Sequence, residues 1–369
     1  MRVESVSVLG FRNLVTGPVS FGPGVTLISG PNGAGKTNLL EATYFALAGR
    51  SCRTRSERET IAFGEPLARA EATVVSGAER RSFLCAVDRG AERRHLLDGS
   101  PAGLAASAMR PPLSVFMPER LALVKGPPSG RRSHLDGFCA ALWPAREEAR
   151  RRYGRALAQR NALLGRVRGG FATAGSLEAW EQELAEAGAE LGETRMLAVE
   201  RLAGSFREAA ADLGLPGEAA LEYRPRTGGF DAAVIAGELA KRRSADVTRG
   251  YTSWGPHLDE LALESDKRSL RRYGSQGQQR IALLALLFAE REVLIEAGRP
   301  LPLMLLDDVT SELDGERRRL LSDRLTRGGQ ALITAAEPGA LPDAGERGVL
   351  TVRAGRVISS LAGGEAAAA

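Results

Sequence analysis

Residues Gly30-Pro31-Asn32-Gly33-Ala34-Gly35-Lys36-Thr37 follow the spacing G-x-x-x-x-G-K-[ST]. Glycines at that spacing let successive backbone N–H groups curl around phosphate oxygens, and a helix opening there adds the positive end of its dipole. The pattern needs a strand before it and a helix after it. Val25–Ser29 reads as the strand and Lys36–Ala48 as the helix. Lys36 then reaches the β- and γ-phosphates, and Thr37 offers its hydroxyl to Mg2+. With Asn38, these residues are the candidate nucleotide contacts. The chain has four lysines against 46 arginines, so a lysine here marks a need for a compact ammonium rather than for any cation. The bland alternative, a glycine-rich turn, leaves that lysine unexplained.

Three further segments suit the same chemistry. Leu303-Met304-Leu305-Leu306-Asp307-Asp308 reads as a buried strand ending in two carboxylates. After a phosphate loop it reads as Walker B, with Asp307 holding Mg2+ and Asp308 orienting or deprotonating the attacking water. Ser275-Gln276-Gly277-Gln278 opens a long helix, where Ser275 is placed to cap it. A cap and nothing more is the competing reading. The segment precedes Walker B and resembles the signature of ABC ATPases, in which such residues bind the γ-phosphate of ATP held by the other subunit. Ser311-Glu312-Leu313-Asp314 resembles the ABC D-loop, and Thr334 falls where many ABC proteins carry a switch histidine. ABC proteins mostly carry Glu where Asp308 stands, and the shorter side chain implies slow hydrolysis.

The elements that must position these residues alternate in texture. Val3–Leu9 reads as a strand, and Arg69–Val75, Arg81–Val87 and Arg94–Leu97 as an antiparallel meander broken at glycines. From about His134 to Leu213 helix signals dominate. Leu135, Phe138, Leu142, Ala145, Ala149, Tyr153, Ala156, Leu163 and Val167 keep a spacing of three and four, interrupted by Arg160. A glycine-rich break follows, with Ser176 as expected N-cap. Leu177, Trp180, Leu184, Ala187, Leu191, Thr194 and Ala198 resume the pattern, giving a helical hairpin with coiled-coil-like seams and helices of about 35 residues, roughly 50 Å. Residues 146–168 hold eight arginines against two glutamates, and 178–200 hold seven glutamates against one arginine. Pairing between the helices is the favoured reading; contact of the basic helix with DNA phosphates is the other. A helix over 275–296, strands at 303–307 and 331–334, and a hairpin of 349–352 with 357–360 complete the chain. The expected class is therefore α/β: an ABC-type P-loop ATPase domain with an inserted α-helical arm. The expected boundaries are 1–130 and 246–361 for the two parts of the ATPase domain, 131–245 for the arm, and 362–369 for a tail.

Composition narrows the partners. Net charge is +5 and the pI about 9.4, compatible with nucleic acid. The three cysteines and three histidines make neither a disulfide framework nor a metal spacing. No signal peptide is read at the N-terminus, and the longest apolar run, 281–289, is too short to span a bilayer, so a cytoplasmic location without a membrane is expected. A transporter subunit is disfavoured by the helical insert, a small-molecule kinase by the signature and D-loop, and a chromosome-structuring protein by the short arm.

Several segments resemble the RecF family more narrowly. Phe11-Arg12-Asn13-Leu14 is similar to F-R-N-Y, and Lys36-Thr37-Asn38-Leu39-Leu40-Glu41-Ala42 to K-T-N-L-L-E-A. Leu123-Val124-Lys125-Gly126 with Arg131-Arg132-Ser133-His134-Leu135-Asp136 is similar to L-V-K-G…R-R-x-x-L-D. Gly255-Pro256-His257-Leu258-Asp259-Glu260-Leu261 is similar to G-P-H-R-D-D-L, and Tyr273 to Arg280 to Y-A-S-Q-G-Q-Q-R. Leu14, Cys52, Leu258 and Glu260 depart from the family pattern, none at a phosphate or Mg2+ ligand. The resemblance implies a Rad50-head-like ATPase domain and an ATP-dependent homodimer around two shared nucleotides, with Ser275, Gln276, Gly277, Gln278 and Asp314 meeting the opposite subunit's nucleotide. It adds Arg12 and Asn13 to the nucleotide contacts, and Thr334 to the catalytic residues Lys36 and Asp308. It implies a weak, DNA-stimulated ATPase whose hydrolysis releases the dimer, and binding to duplex DNA at single-strand junctions. It further implies work with RecR and RecO in loading RecA on gaps coated by single-strand-binding protein, with roles in replication maintenance and the SOS response. Arg50, Arg53, Arg55 and Arg58 are the candidate DNA contacts.

Overall fold

The computed structural model describes residues 1–15, 17–103, 106, 109–311, 313–341 and 348–360. Glu312 of the D-loop segment and the tail 362–369 lie outside the described residues. The chain divides into two compact units: residues 1–120 with 212–214 and 300–369, and residues 121–211 with 215–299. The long signature helix thus packs within the second unit, whereas motif order groups it with the ATPase segments.

The first unit carries two six-stranded sheets. One is antiparallel, built on Arg2–Leu9, Leu67–Ser76, Glu79–Asp88 and Arg93–Leu97. In Leu67–Ser76 buried alanines and Val74 alternate with more exposed residues, as one covered face requires. The other is mostly parallel. Val25–Ser29 pairs with Ala331–Ala335, which pairs with Leu303–Leu306, which pairs with Leu113–Phe116. Val25–Ser29, Leu303–Leu306 and Ala331–Ala335 are buried along their whole length. That is the pattern of parallel strands covered on both faces. Their C-terminal ends carry the phosphate loop, Asp307-Asp308 and Thr334 respectively, so three motifs distant in sequence emerge at one edge. Leu113–Phe116 extends this sheet and has no motif to announce it.

The second unit holds the expected helical hairpin with two corrections. The run from Leu135 to Val167 is not one helix. Pro128–Leu142 ends at Trp143, and Pro144 opens a 3-10 turn before Glu147–Arg168 begins. Proline has no N–H and its ring clashes with the preceding turn, so the register resets. Ala145 is consequently exposed, and Leu164 rather than Leu163 is buried. The hairpin helices have 22 and 35 residues, so only the second, Glu178–Asp212, has the expected length. Ser176 does not cap it. It lies inside a 3-10 turn, Ala174–Leu177, and donates to Thr173 O.

A third helix, Ala232–Arg249, not marked by any sequence motif, packs against the hairpin through Ile235 and Leu239. Arg160 does more than interrupt the seam. It is wholly buried and donates to Asp246 (2.8 Å), Thr252 (2.8 Å) and Glu181 (3.0 Å), tying the three helices together. Arg152 reaches Glu183 at 3.0 Å, so the charge sorting of the two helices does produce pairs between them.

Candidate nucleotide site

The phosphate loop forms because its glycines take backbone angles that a side chain resists. Gly30 sits at φ 147°, and a Cβ there would lie 2.2 Å from Val352 O; Gly35 sits at φ 114° immediately before the helix Lys36–Ala48. That helix has Gly35 as N-cap with no side-chain cap, so its first N–H groups are open to an anion. Lys36 Nζ donates to Gly30 O (2.6 Å) and Pro31 O (3.0 Å), which holds the ammonium over its own loop. Burial lowers the Lys36 pKa, opposed by the charges of Asp307 and Asp308, so both carboxylates act on this lysine.

Walker B meets the loop through hydroxyls. Thr37 Oγ1 donates to Asp307 Oδ1 at 2.8 Å, and Thr334 Oγ1 donates to the same oxygen at 2.7 Å. Burial pushes the Asp307 carboxyl up, against the hydrogen bonds from Thr334 and Thr37 and the charge of Arg53, which lower it. The Thr334 hydroxyl also accepts from the Asp308 N–H at 2.9 Å. Asp308 has φ 50°, a left-handed angle that is uncommon for an aspartate outside turns, and its side chain is exposed. Thr334 is therefore a buried clasp between the two Walker B residues. A carboxylate and a hydroxyl 2.8 Å apart form a hard oxygen pair that fits Mg2+.

Around the loop the structure brings together residues that the motifs alone did not join. Asn13 Nδ2 donates to Gly33 O, and Asn38 Nδ2 donates to Asn13 Oδ1. Glu41, fully buried on the phosphate-loop helix, is gripped by Arg12 (2.9 Å), Arg53 (3.1 Å) and the Ser51 hydroxyl (2.6 Å). Burial alone would raise its carboxyl, but hydrogen bonds from Arg12 and Ser51 and the charges of Arg12 and Arg53 bring it below the usual carboxylate range. Arg53 also donates to Asn38 Oδ1 and Glu119. Its guanidinium is thus engaged by Glu41, Asn38 and Glu119 beside the phosphate loop, a setting that the sequence did not announce for it. The reason is local: one buried carboxylate on an otherwise apolar helix needs cations. That glutamate was the signal for the cluster. Arg50, Arg55 and Arg58 are exposed.

In the second unit Ser275 caps the helix Gln276–Glu296. Its hydroxyl accepts from Gln278 N while Gln278 Oε1 accepts from Ser275 N, a reciprocal capping box. Ser275 and Gln276 are exposed, with Gly277 and Gln278 half-buried behind them. Asp314, in the first unit, caps Gly315–Thr326 and is exposed.

A phosphate loop, a Walker B strand end and a capped signature helix, carried on such sheets with a helical insert, define the head fold of an ABC-type ATPase of the RecF and SMC group. The RecF/RecN/SMC N terminal domain family matches residues 2–357. The chain belongs to the RecF family of DNA replication and repair proteins. It is 38% identical to the DNA replication and repair protein RecF of Deinococcus radiodurans, covering 92% of both chains. It is 35% identical to that of Heliobacterium modesticaldum, over 98% of this chain and all of the relative. A solved structure of the recombination mediator RecF with ATP, of the RecFOR pathway, superposes with TM-score 0.82 at 27% identity over 97% of both chains. An Smc head bound to the C-terminal winged-helix domain of ScpA gives TM-score 0.61 at 17% identity over 98% of both chains, a likeness of fold. Among the described residues, no helix is long and apolar enough to cross a membrane.

Proposed function

We propose that this chain binds and slowly hydrolyses ATP, dimerises around two shared nucleotides, and in that state holds duplex DNA near single-strand junctions. In this reading it acts in the cytoplasm with RecR and RecO to load RecA on gaps, and DNA-stimulated hydrolysis releases the dimer. Its wider roles are replication maintenance and the SOS response. Residues 1–130 and 246–361 serve as the ATPase domain around the arm 131–245. The observation that carries the reading is the meeting of Thr37, Asp307 and Thr334 on one carboxylate oxygen beside Lys36.

Loop N–H groups from Gly30 to Thr37 and the Lys36 ammonium hold the phosphates, with Arg12, Asn13 and Asn38 bracing the loop. Thr37 and Asp307 hold Mg2+, which neutralises charge on the phosphates when bound. Asp308 orients the attacking water. Thr334 acts as a positioning residue, because both bonding directions of its hydroxyl are already engaged. Replacing Thr334 with valine keeps the shape and deletes both hydrogen bonds, including the part-buried one from the Asp308 N–H, at about 1–3 kcal/mol. Turnover should fall roughly tenfold to a hundredfold with nucleotide affinity nearly unchanged, and Thr334→Ser should restore it. Unaltered turnover in Thr334→Val would remove the residue from the site.

The shared-site geometry is tested by mixing defects. Ser275→Arg places a bulky cation where the signature hydroxyl must approach the opposite γ-phosphate. It should abolish ATP-dependent dimerisation while sparing ATP binding by the monomer. Lys36→Met should empty its own loop. A mixture of the two variants contains one composite site with an intact loop and an intact signature. Size-exclusion chromatography with ATP should show association that neither variant shows alone. No recovery at any ratio reduces Ser275 to a helix cap.

Arg50, Arg55 and Arg58 serve as backbone contacts, which would make DNA binding weaken steeply with salt. Reversing Arg55 and Arg58 to glutamate should weaken duplex binding and lower its salt slope by about two. An unchanged slope in a gel-shift series moves the DNA surface elsewhere.

A further inference from the structure

Two segments singled out in the sequence, Arg131 to Asp136 and Gly255 to Leu261, have no part in the nucleotide site. Within the second unit they interlock. Arg131 makes a bidentate pair with Glu260 (2.7 and 2.9 Å) and donates to the carbonyls of Leu123, Val124 and Gly126. Arg195 makes a bidentate pair with Asp136 (2.7 and 3.0 Å) and reaches Asp259 Oδ2 at 3.2 Å. His257 Nδ1 lies 2.6 Å from the Tyr153 hydroxyl. Beside this lattice opens a cavity of about 460 Å³.

Its lining is unevenly satisfied. Asp136 is matched by Arg195, and Glu147 by Arg150 at 3.1 Å. Arg132 is the exception. It lines the cavity half-buried, its one described hydrogen bond is from NH1 to the Asp259 carbonyl at 2.9 Å, and among the described residues no carboxylate lies within ion-pair distance of it. Burial and the charge of Arg195 push its pKa down, opposed by the more distant acids. Ser129, one turn before Arg132 on the same helix, and Ser133, the residue that follows it, are exposed and line the same space. An oxyanion placed there gains a planar guanidinium with free N–H groups, the geometry that suits a carboxylate.

We propose that this cavity is a socket for a protein partner, taking a segment that carries a carboxylate beside an apolar side chain. Arg132 grips the carboxylate, and the wall of Leu157 and Leu191 takes the apolar neighbour. The lining decides against nucleic acid. A duplex presents a convex row of phosphates and calls for a row of cations, whereas this is a concave pocket with one unmatched cation and two carboxylates in its wall.

The test uses the full chain and a library of short fluorescein-labelled peptides, each with one fixed glutamate among degenerate positions. The best binder is read by anisotropy against its glutamine counterpart and against a short DNA duplex as competitor. Two variants attack the socket by different means. Arg132→Gln removes the charge. Gly137→Leu fills the cavity, since a Cβ on that lining glycine meets no atom within 4 Å and the helix gains propensity. Each should weaken the peptide about tenfold, ~1.4 kcal/mol, with no fall in thermal midpoint and with binding of a fluorescent ATP analogue unchanged. Gly137→Ala should bind as wild type. The proposal is overturned if the library yields no saturable binder, if the glutamine peptide binds equally, if either variant keeps full affinity, or if the duplex displaces the peptide through Arg132.

Discussion

Lys36→Ala is expected to reduce ATP turnover at least about a hundredfold, the largest functional loss of any single substitution in this chain. The ammonium is held over the loop by Gly30 O and Pro31 O, and it lies in the field of Asp307 and Asp308. Two carboxylates facing a triphosphate repel it unless a cation stands between them. Removing that cation forfeits charge stabilisation in a partly desolvated site, an effect of about 2.7–4 kcal/mol for a single preorganised donor elsewhere. Nucleotide affinity should fall as well, because the lysine meets the ground-state phosphates. Lys36→Arg should separate the two effects. The guanidinium keeps the charge but cannot pack as a point between the loop carbonyls and the phosphates. Weak binding of a fluorescent ATP analogue should survive while turnover does not. Asp308→Asn supplies the contrast: it leaves the loop intact, so binding should stay near wild type while hydrolysis drops and the ATP-bound dimer outlives that of the wild type. If Lys36→Arg hydrolyses ATP at the wild-type rate, the loop is not the catalytic site.

What could be read in the sequence follows from how locally each feature is determined. The phosphate-loop strand and helix appear with the expected bounds because glycine spacing, apolar runs and a terminal Gly49 cap all act within a few residues. The signature helix begins at Gln276 because the capping box is encoded in four consecutive residues. The meander strands are longer than read by one or two residues at their ends, where pairing with neighbours extends them. Leu113–Phe116 and Ala219–Arg224 escaped notice since each is a short strand whose place is set by a partner far along the chain. The same limit applies to the site. Motifs named Lys36, Asp307 and Thr334 individually, but nothing in the spacing says that Thr334 bridges Asp307 and the Asp308 backbone. Nor does spacing show that Arg53 turns toward Glu41 and Asn38, while Arg50, Arg55 and Arg58 remain exposed. A guanidinium's direction depends on which carboxylate is buried nearby, and that is decided by tertiary packing.

Arg160→Ala should be the most destabilising substitution in the second unit, costing about 3–5 kcal/mol. In the helical seam Arg160 breaks an apolar pattern and would be expected to point outward. Instead it is the largest fully buried side chain among the described residues, with Asp246 at 0% and Glu181 at 3% exposure beside it. One guanidinium meets both carboxylates and the Thr252 hydroxyl, so its removal strands charge in a low-dielectric interior. Glu181 keeps a second cation, Arg243, at 2.6 Å. Asp246 keeps only Ser253, whose N–H and hydroxyl reach its other oxygen. The cost should therefore sit mainly on Asp246, and a double substitution can show it. Arg160→Met with Asp246→Leu removes the stranded charge together with its partner, and should recover more than half of the loss suffered by Arg160→Met alone. Thermal unfolding followed by circular dichroism is the measurement, with a fall of roughly 10 °C expected for Arg160→Ala. ATP-analogue binding at the phosphate loop should be retained at temperatures below the transition, since no residue of that loop touches the network. A loss under about 1 kcal/mol would mean that Asp246 and Glu181 are satisfied without Arg160. Equal instability of the double variant and Arg160→Met would mean that packing, rather than stranded charge, sets the cost.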